Sequence, residues 1–328
     1  MTTAWRELTV EAALEPHLPI CDPHHHLWEY PESRYLADEY IAELGGHHVT
    51  HTLFVECLQH YRVTGPEELR PVGETVFAAH IAAAAERSPA APKLAAGIVA
   101  FADLTLGEAV EAVLLAHLEA SSHVRSIRYA TAWDASDQIR ATHTHPPPGL
   151  MNDARFRKGF ERLATFGLCF DAWLYHTQIP EVVKLAQDFP DANIVLDHMC
   201  GPLAIGPYSG RRREVFNDWR RNLADAAACA NVFIKLGGLT MTAAGFGWNK
   251  RSVPPGSEEL EVAMRPYFDA CIELFGPERC MFESNFPMDR ASCSYTVLWN
   301  AFKRVAARYT PTERAFLLRD TAMMVYRL

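Results

Sequence analysis

A (β/α)8 barrel is the fold class this chain predicts, on three observations. Short β-rich apolar runs alternate with amphipathic helical stretches, which argues for parallel βαβ units. The runs number eight, the count at which such units close into a barrel. The length of 328 residues suits one barrel domain over 1–328, since the usual size of about 250 grows with insertions. An open, doubly wound sheet is the rival, but no glycine-rich phosphate loop follows any of the runs.

In order, the first strand is expected at 18–21, running straight into Asp22-Pro23-His24-His25-His26. The second, 49–56, ends on Glu56 and is followed by a helical pattern at 73–87; the third, 93–101, is followed by one at 106–121. The fourth strand, 124–129, carries Arg128. After it comes a long loop holding His143, His145 and the run Pro146-Pro147-Pro148-Gly149, placed to fold over a site as a lid, and then a helix at 153–166. The fifth, 168–174, leads from Asp171 to His176 before a helix at 179–189. The sixth, 192–197, ends in Asp197-His198 ahead of a helix at 213–230, and the seventh, 232–236, contains Lys235 ahead of one at 258–275. The eighth, 279–283, passes through Glu283-Ser284-Asn285 to helices at 295–309 and 312–326. Polar residues thus gather at strand C-terminal ends, the face on which such barrels carry their sites on long loops.

Composition narrows the function. Apolar residues make up 49% of the chain and charged ones 22%, ordinary for a globular enzyme. The net charge of −9, with its acids dispersed, would repel a phosphate backbone, so nucleic acid is excluded as a partner. No run of about 18 apolar residues offers a membrane span, and the charged stretch 1–16 lacks the apolar core of a leader peptide. Eight cysteines without a CxxC pair read as reduced core thiols of a cytoplasmic protein. A small molecule is the expected partner, and a homo-oligomer is left open.

His24 and His26 are the most informative pair. Two residues apart at a strand end, they point to one side and can converge on a metal or an anionic oxygen. His47, His48 and His51 lie at the opposite, N-terminal end of the second strand, the stability face, and are assigned no chemistry.

Five pieces together resemble the amidohydrolase superfamily, in particular the amidohydrolase-2 branch that includes sugar lactonases and pyrone-dicarboxylate lactonases. They are the Asp22 to Trp28 segment, Arg125-Ser126-Ile127-Arg128, Val195-Leu196-Asp197-His198, Ile234-Lys235-Leu236-Gly237-Gly238 and Met281-Phe282-Glu283-Ser284-Asn285-Phe286-Pro287. The resemblance implies a hydrolase that opens a small carboxylated lactone, or a related C–O or C–N bond, with activated water. It implies catalytic roles for His24, His26 and His198, a substrate carboxylate held by Arg128, and at most one divalent metal (zinc or manganese) on His24, His26 and His198, held weakly, optionally or not at all. Other members of the branch are metal-dependent decarboxylases of aromatic acids, one alternative; a catalytically silent ligand-binding barrel is another.

At the eighth strand the chain departs from this pattern. Relatives place an aspartate where Asn285 stands, and an amide can neither take a proton at neutral pH nor serve well as a ligand. Glu283 and Asn285 would share a strand face, so Glu283 is expected either to replace the missing carboxylate or to be a buried acid paired with Lys235. Arg128 has a structural alternative too, an ion pair with Glu56 or Asp171. Trp173 and Tyr175 are expected to line the substrate pocket. His176 is placed with them, either as a site histidine or as a loop residue.

Overall fold

Eight parallel strands wrap into the expected barrel in the computed structural model, which describes residues 3–87 and 91–328. Residues 1 and 2, part of the stretch read above as lacking a leader, lie outside the described residues. The strands are β1 (Ile20–His25), β2 (Val49–Val55), β3 (Lys93–Ala100), β4 (Val124–Ala130), β5 (Cys169–Trp173), β6 (Ile194–Leu196), β7 (Val232–Leu236) and β8 (Cys280–Phe282). Each pairs in parallel with its successor. The ring closes through a bridge between His25 and Phe286, with hydrogen bonds from His26 N to Phe286 O (2.8 Å) and Asn285 N to His24 O (2.9 Å).

Helices fill the outer layer, among them α1 (Val72–Glu86), α2 (Val110–Ala120), α3 (Ala154–Thr165), α4 (Ile179–Asp188), α5 (Arg212–Ala227), α6 (Ser257–Phe275) and α7 (Tyr295–Ala306). Two of them start where side chains satisfy the first backbone N–H groups: Asp153 accepts from Arg155 N and Phe156 N, and Ser294 accepts from Val297 N. The helix expected at 312–326 is interrupted by a wider turn at Phe316–Asp320, leaving α8 (Thr321–Tyr326) to plug the N-terminal mouth. There Ala322, Val325 and Tyr326 pack on Cys21, Leu53, Val99, Cys169, Val195 and Met281. The barrel interior is therefore apolar below and polar above. All eight cysteines are free, seven of them buried, as their apolar surroundings predict. Among the described residues no helix is long and apolar enough to cross a membrane.

The first strand corrects the expectation. It begins at Ile20 and runs on to His25, through Asp22 and Pro23, with a register shift between Asp22 and His25. Pro23 gives no N–H to the ladder. Buried Asp22 is tolerated there because Tyr40 OH (2.8 Å), Tyr295 OH (3.0 Å) and Ser284 N (3.0 Å) all donate to its carboxyl. This places His24 inside the strand, and His26 one residue past its end.

Candidate active site

His26 Nδ1 lies 2.8 Å from the carbonyl oxygen of Val55, which can only accept, so the hydrogen sits on Nδ1. His24 Nδ1 lies 2.9 Å from Glu283 Oε2 and 3.3 Å from Lys235 Nζ, and with its hydrogen on Nδ1, on the carboxylate side, its Nε2 is left bare. Both imidazoles then present bare Nε2 atoms, and these face one another at 3.3 Å. Burial, reinforced by the Lys235 cation beside His24 and the Arg128 cation beside His26, holds both rings below the ordinary histidine range and keeps them neutral.

The third imidazole is set by unusual backbone. His198, Met199, Cys200 and Gly201 all have left-handed φ, at 53°, 52°, 58° and 39°. Such a conformation costs an L-residue roughly 1–2 kcal/mol. It is held by Glu283 Oε1, which accepts from His198 N (3.0 Å) and Nδ1 (2.6 Å), and by Trp219 Nε1 donating to Met199 O (2.7 Å). Glu283 and His198 reach each other only because two glycines stand aside. A Cβ on Gly237 would lie 2.3 Å from Glu283 Cγ, and one on Gly238 (φ 70°) 2.6 Å from His198 Cβ. Against burial, the His198 and His24 rings hold the Glu283 carboxyl down to about 2. Against burial again, Glu283 holds His198 above the ordinary histidine range.

A layer of buried charge lies beneath the histidines. Lys235 Nζ donates to Asp171 Oδ2 (2.5 Å), stands 3.0 Å from Asp197 Oδ1 and 3.3 Å from His24 Nδ1. Asp171 also accepts from Ser126 Oγ (2.5 Å) and, from the plug below, Tyr326 OH (2.9 Å). Arg128 spends Nε on Glu56 Oε1 and Nη2 on Glu56 O, each at 2.7 Å. Its Nη1 points inward, 3.4 Å from His24 Nε2 and 3.7 Å from Asp197 Oδ2. Burial opposes both cations, but the carboxylates around them outweigh it and keep Lys235 and Arg128 charged.

The structure thus brings His24, His26, His198, Glu283 and Arg128 together. It pairs Glu283 with histidines and not with Lys235, and Arg128 with Glu56. Trp173 sets its ring against the edge of His198, centroids 4.8 Å apart, and Tyr175 stands behind Trp173, donating its hydroxyl to Arg140 O (3.0 Å). His176 lies apart, in a turn where its Nδ1 accepts from Leu203 N (3.4 Å) and its ring meets Tyr208. The shared face expected of 283 and 285 does not form: β8 ends at Phe282, and Asn285 is left-handed (φ 53°), turned toward Asp289. Asp197, Lys235, Asp171 and Glu56 were visible at strand ends without a role. A charge inside an apolar run, as in Cys169-Phe170-Asp171-Ala172-Trp173, is the signal that a partner waits inside the barrel.

The donor set suits a divalent metal. Among the described residues, His24, Asp197 and His198 each offer a ligand atom, all within 4.8 Å of one another; His26 stands outside that group, its Nε2 3.3 Å from His24 Nε2. Two nitrogen lone pairs 3.3 Å apart repel unless a cation or proton lies between them. Neither oxygen of Asp197 accepts a hydrogen bond. Four carboxylates (Glu56, Asp171, Asp197, Glu283) meet only two permanent cations, which leaves the layer negative.

The chain is similar to known proteins in sequence and in fold. Protein y4mH of Sinorhizobium fredii is 29% identical over 333 residues, covering 95% of this chain and 99% of its own. An L-fucono-1,5-lactonase of Burkholderia multivorans is 28% identical over 180 residues, 55% of this chain and 58% of the relative. A zinc-bound crystal structure of a Burkholderia multivorans amidohydrolase superposes with a TM-score of 0.73 at 22% identity, covering 94% of this chain and 99% of that one. Residues 21–328 match the amidohydrolase family (Amidohydro_2), and the chain, an enzyme of the hydrolase class, belongs to that family.

Proposed function

We propose that this enzyme opens a small lactone by attack of water on the ring carbonyl. The observation that carries the reading is the meeting of the bare Nε2 atoms of His24 and His26 beside the Glu283-held His198. Without a metal, His198, its proton favoured by Glu283, stabilises the oxyanion that forms as the carbonyl becomes tetrahedral; with a metal bound, the neutral ring would serve as a ligand and that role would pass to the ion. Trp173, against that ring, lines the ring-binding side of the site. Arg128 spends two of its five N–H groups on Glu56, so Nη1 and the second Nη2 hydrogen remain to orient the substrate through a hydroxyl, carbonyl or carboxylate oxygen.

A divalent ion, zinc first and manganese second, would be held by His24, His26, Asp197 and neutral His198. When bound it polarises the carbonyl and lowers the pKa of water toward about 7. Arg128 beside His24 and Lys235 beside Asp197 are cations that weaken its hold, so the ion is exchangeable. Lactonase-named relatives support the substrate class.

The test combines elemental analysis of protein purified without added metal with hydrolysis of L-fucono-1,5-lactone and a panel of aldonolactones and carboxylated lactones, before and after chelation. Ring opening that falls on chelation and returns with zinc is the expected result. Carbon dioxide release from hydroxybenzoates would replace the reading with decarboxylation. No turnover, with a raised melting temperature in a carboxylated ligand, would replace it with a binding role.

A further inference from the structure

Water attacking a carbonyl must lose a proton, and the carboxyls around the histidines are poorly placed to take it. Glu283 is shared between His198 and His24 and held at about 2, which makes it a feeble base. Asp197 stands between Lys235 and Arg128, Asp171 accepts from Ser126, Lys235 and Tyr326, and Glu56 is paired with Arg128.

One acid differs. Asp289 sits in the turn that follows the eighth strand, its N–H bonded to Asn285 O (3.2 Å), and it is wholly buried. Among the described residues it forms no ion pair, and neither carboxyl oxygen has a hydrogen-bond partner of good geometry. The side chains that face it are Thr240, from the loop after β7, and Asn285, both buried; Thr240 Oγ1 and Asn285 Nδ2 are directed at the Asp289 carboxyl without reaching it in good hydrogen-bond geometry. Ser292 Oγ donates to Thr240 O (2.5 Å), tying that loop to the Asp289 turn. Four polar atoms on three buried side chains near His198 thus face one another without well-formed hydrogen bonds, and a water molecule, which both donates and accepts, is the chemistry that completes them.

The geometry points to Asp289 as the residue that takes the proton from the attacking water, with Thr240 and Asn285 holding that water; the assignment rests on the lactone reading. As the water oxygen bonds to the carbonyl carbon, one of its hydrogens passes to an Asp289 oxygen. When the ring C–O bond breaks, the departing alkoxide takes this proton back, and the open hydroxy acid releases its carboxyl proton to solvent. Asp289 ends as the carboxylate it began. Burial, only partly offset by Thr240 and the His198 charge, pushes its carboxyl up to about 7, where a base serves at neutral pH.

Asp289→Asn should lower kcat at least about 100-fold with KM within a few-fold, the usual contribution of general-base catalysis. Formate should restore part of the activity of Asp289→Ala, an effect a structural role would not produce. A second measurement needs no substrate. A buried acid raised to about 7 stabilises the fold below its unfolded value and loses that contribution as pH climbs to 7. The charged or titratable groups facing it are His198, Glu283 and Cys293, all present in both proteins. The melting temperature of Asp289→Asn should therefore gain on wild type from pH 5 to about pH 7 and level off above it. Wild-type turnover in Asp289→Asn, or formate without effect on Asp289→Ala, overturns the assignment. If wild type opens no lactone, the lactone reading fails; the melting comparison then decides, and parallel curves at all pH values overturn the assignment.

Discussion

Replacing Glu283 by glutamine removes one charge and keeps the shape, so its effects follow from three contacts. Oε1 accepts from His198 Nδ1 and N, and Oε2 lies 2.9 Å from His24 Nδ1. Lowering a buried carboxyl from 4.5 to about 2 corresponds to about 3 kcal/mol of stability at neutral pH. Glutamine forfeits this, and whichever way its amide turns, one NH2 faces an imidazole N–H or the His198 backbone N–H. An unsatisfied buried donor costs a further ~1–3 kcal/mol, unless the ring escapes by moving its hydrogen to Nε2. For His24 that escape abolishes the bare nitrogen on which the site depends, and a wrong tautomer costs up to about 10⁴ in rate. Glu283→Gln should be less stable than wild type by about 3 kcal/mol in urea at pH 7, with lactone hydrolysis down by ~10² or more. The sign is fixed: a depressed carboxyl stabilises above its unfolded value and loses that contribution as pH falls, so the gap should close between pH 4.5 and about 2. Near-normal turnover, or a gap that persists unchanged into acid, would refute the reasoning.

Ala at His24 or His26 should cut turnover at least about a hundredfold with the fold intact. Ala at His47, whose Nδ1 lies 3.0 Å from Lys303 Nζ at the far end of the barrel, should spare it, and equal losses at all three would show a folding effect. Gly238→Ala forces a Cβ to 2.6 Å from His198 Cβ at a left-handed position, so activity should collapse and stability fall by about 2 kcal/mol or more; a wild-type rate would mean that the His198 turn is plastic. Acid should unfold the protein steeply. His25, His47, His117 and His176, lowered by burial to between about 3 and about 4, take up protons on unfolding below pH 6.5, while Glu74 and Asp289, raised to about 8 and about 7, release theirs. Near pH 5.5 these six groups together bind about two more protons in the unfolded chain, and neutral His24 and His26 add to that uptake, so stability should rise by ~2 kcal/mol or more per pH unit; a flat profile from pH 5 to 6.5 contradicts it.

Periodicity and strand-end position were enough to read the barrel. The seventh strand falls where the apolar run 232–236 predicts it, and the histidine pair converges as a period-two strand requires. The first strand was misplaced because its stability comes from distant groups: Asp22 is paid for by Tyr40, Tyr295 and Ser284, invisible in a local pattern. The same holds for Glu283. Lys235 and His198 are both inward charges of the right sign, and only three-dimensional spacing, with Gly237 and Gly238 yielding room, selects His198. The face shared by 283 and 285 was lost because period two stops where the strand stops, and Asn285 turns left-handed.

The barrel closes at its most sparsely paired seam, and the candidate site residues straddle it. Beyond the three residues of β8, first and last strands are joined by the His25–Phe286 bridge and by the amides of His26 and Asn285. His24 and His26 stand on one lip, Glu283 on the other. A fluctuation that parts this seam dismantles the candidate site while the seven regular strand pairings persist, because opening free energies are local properties. Amide protons of His26 and Asn285 should exchange with solvent through such sub-global opening, well ahead of those between β4 and β5. Dilute urea should silence the enzyme before its circular dichroism changes, making the active site the first cooperative unit that this barrel surrenders.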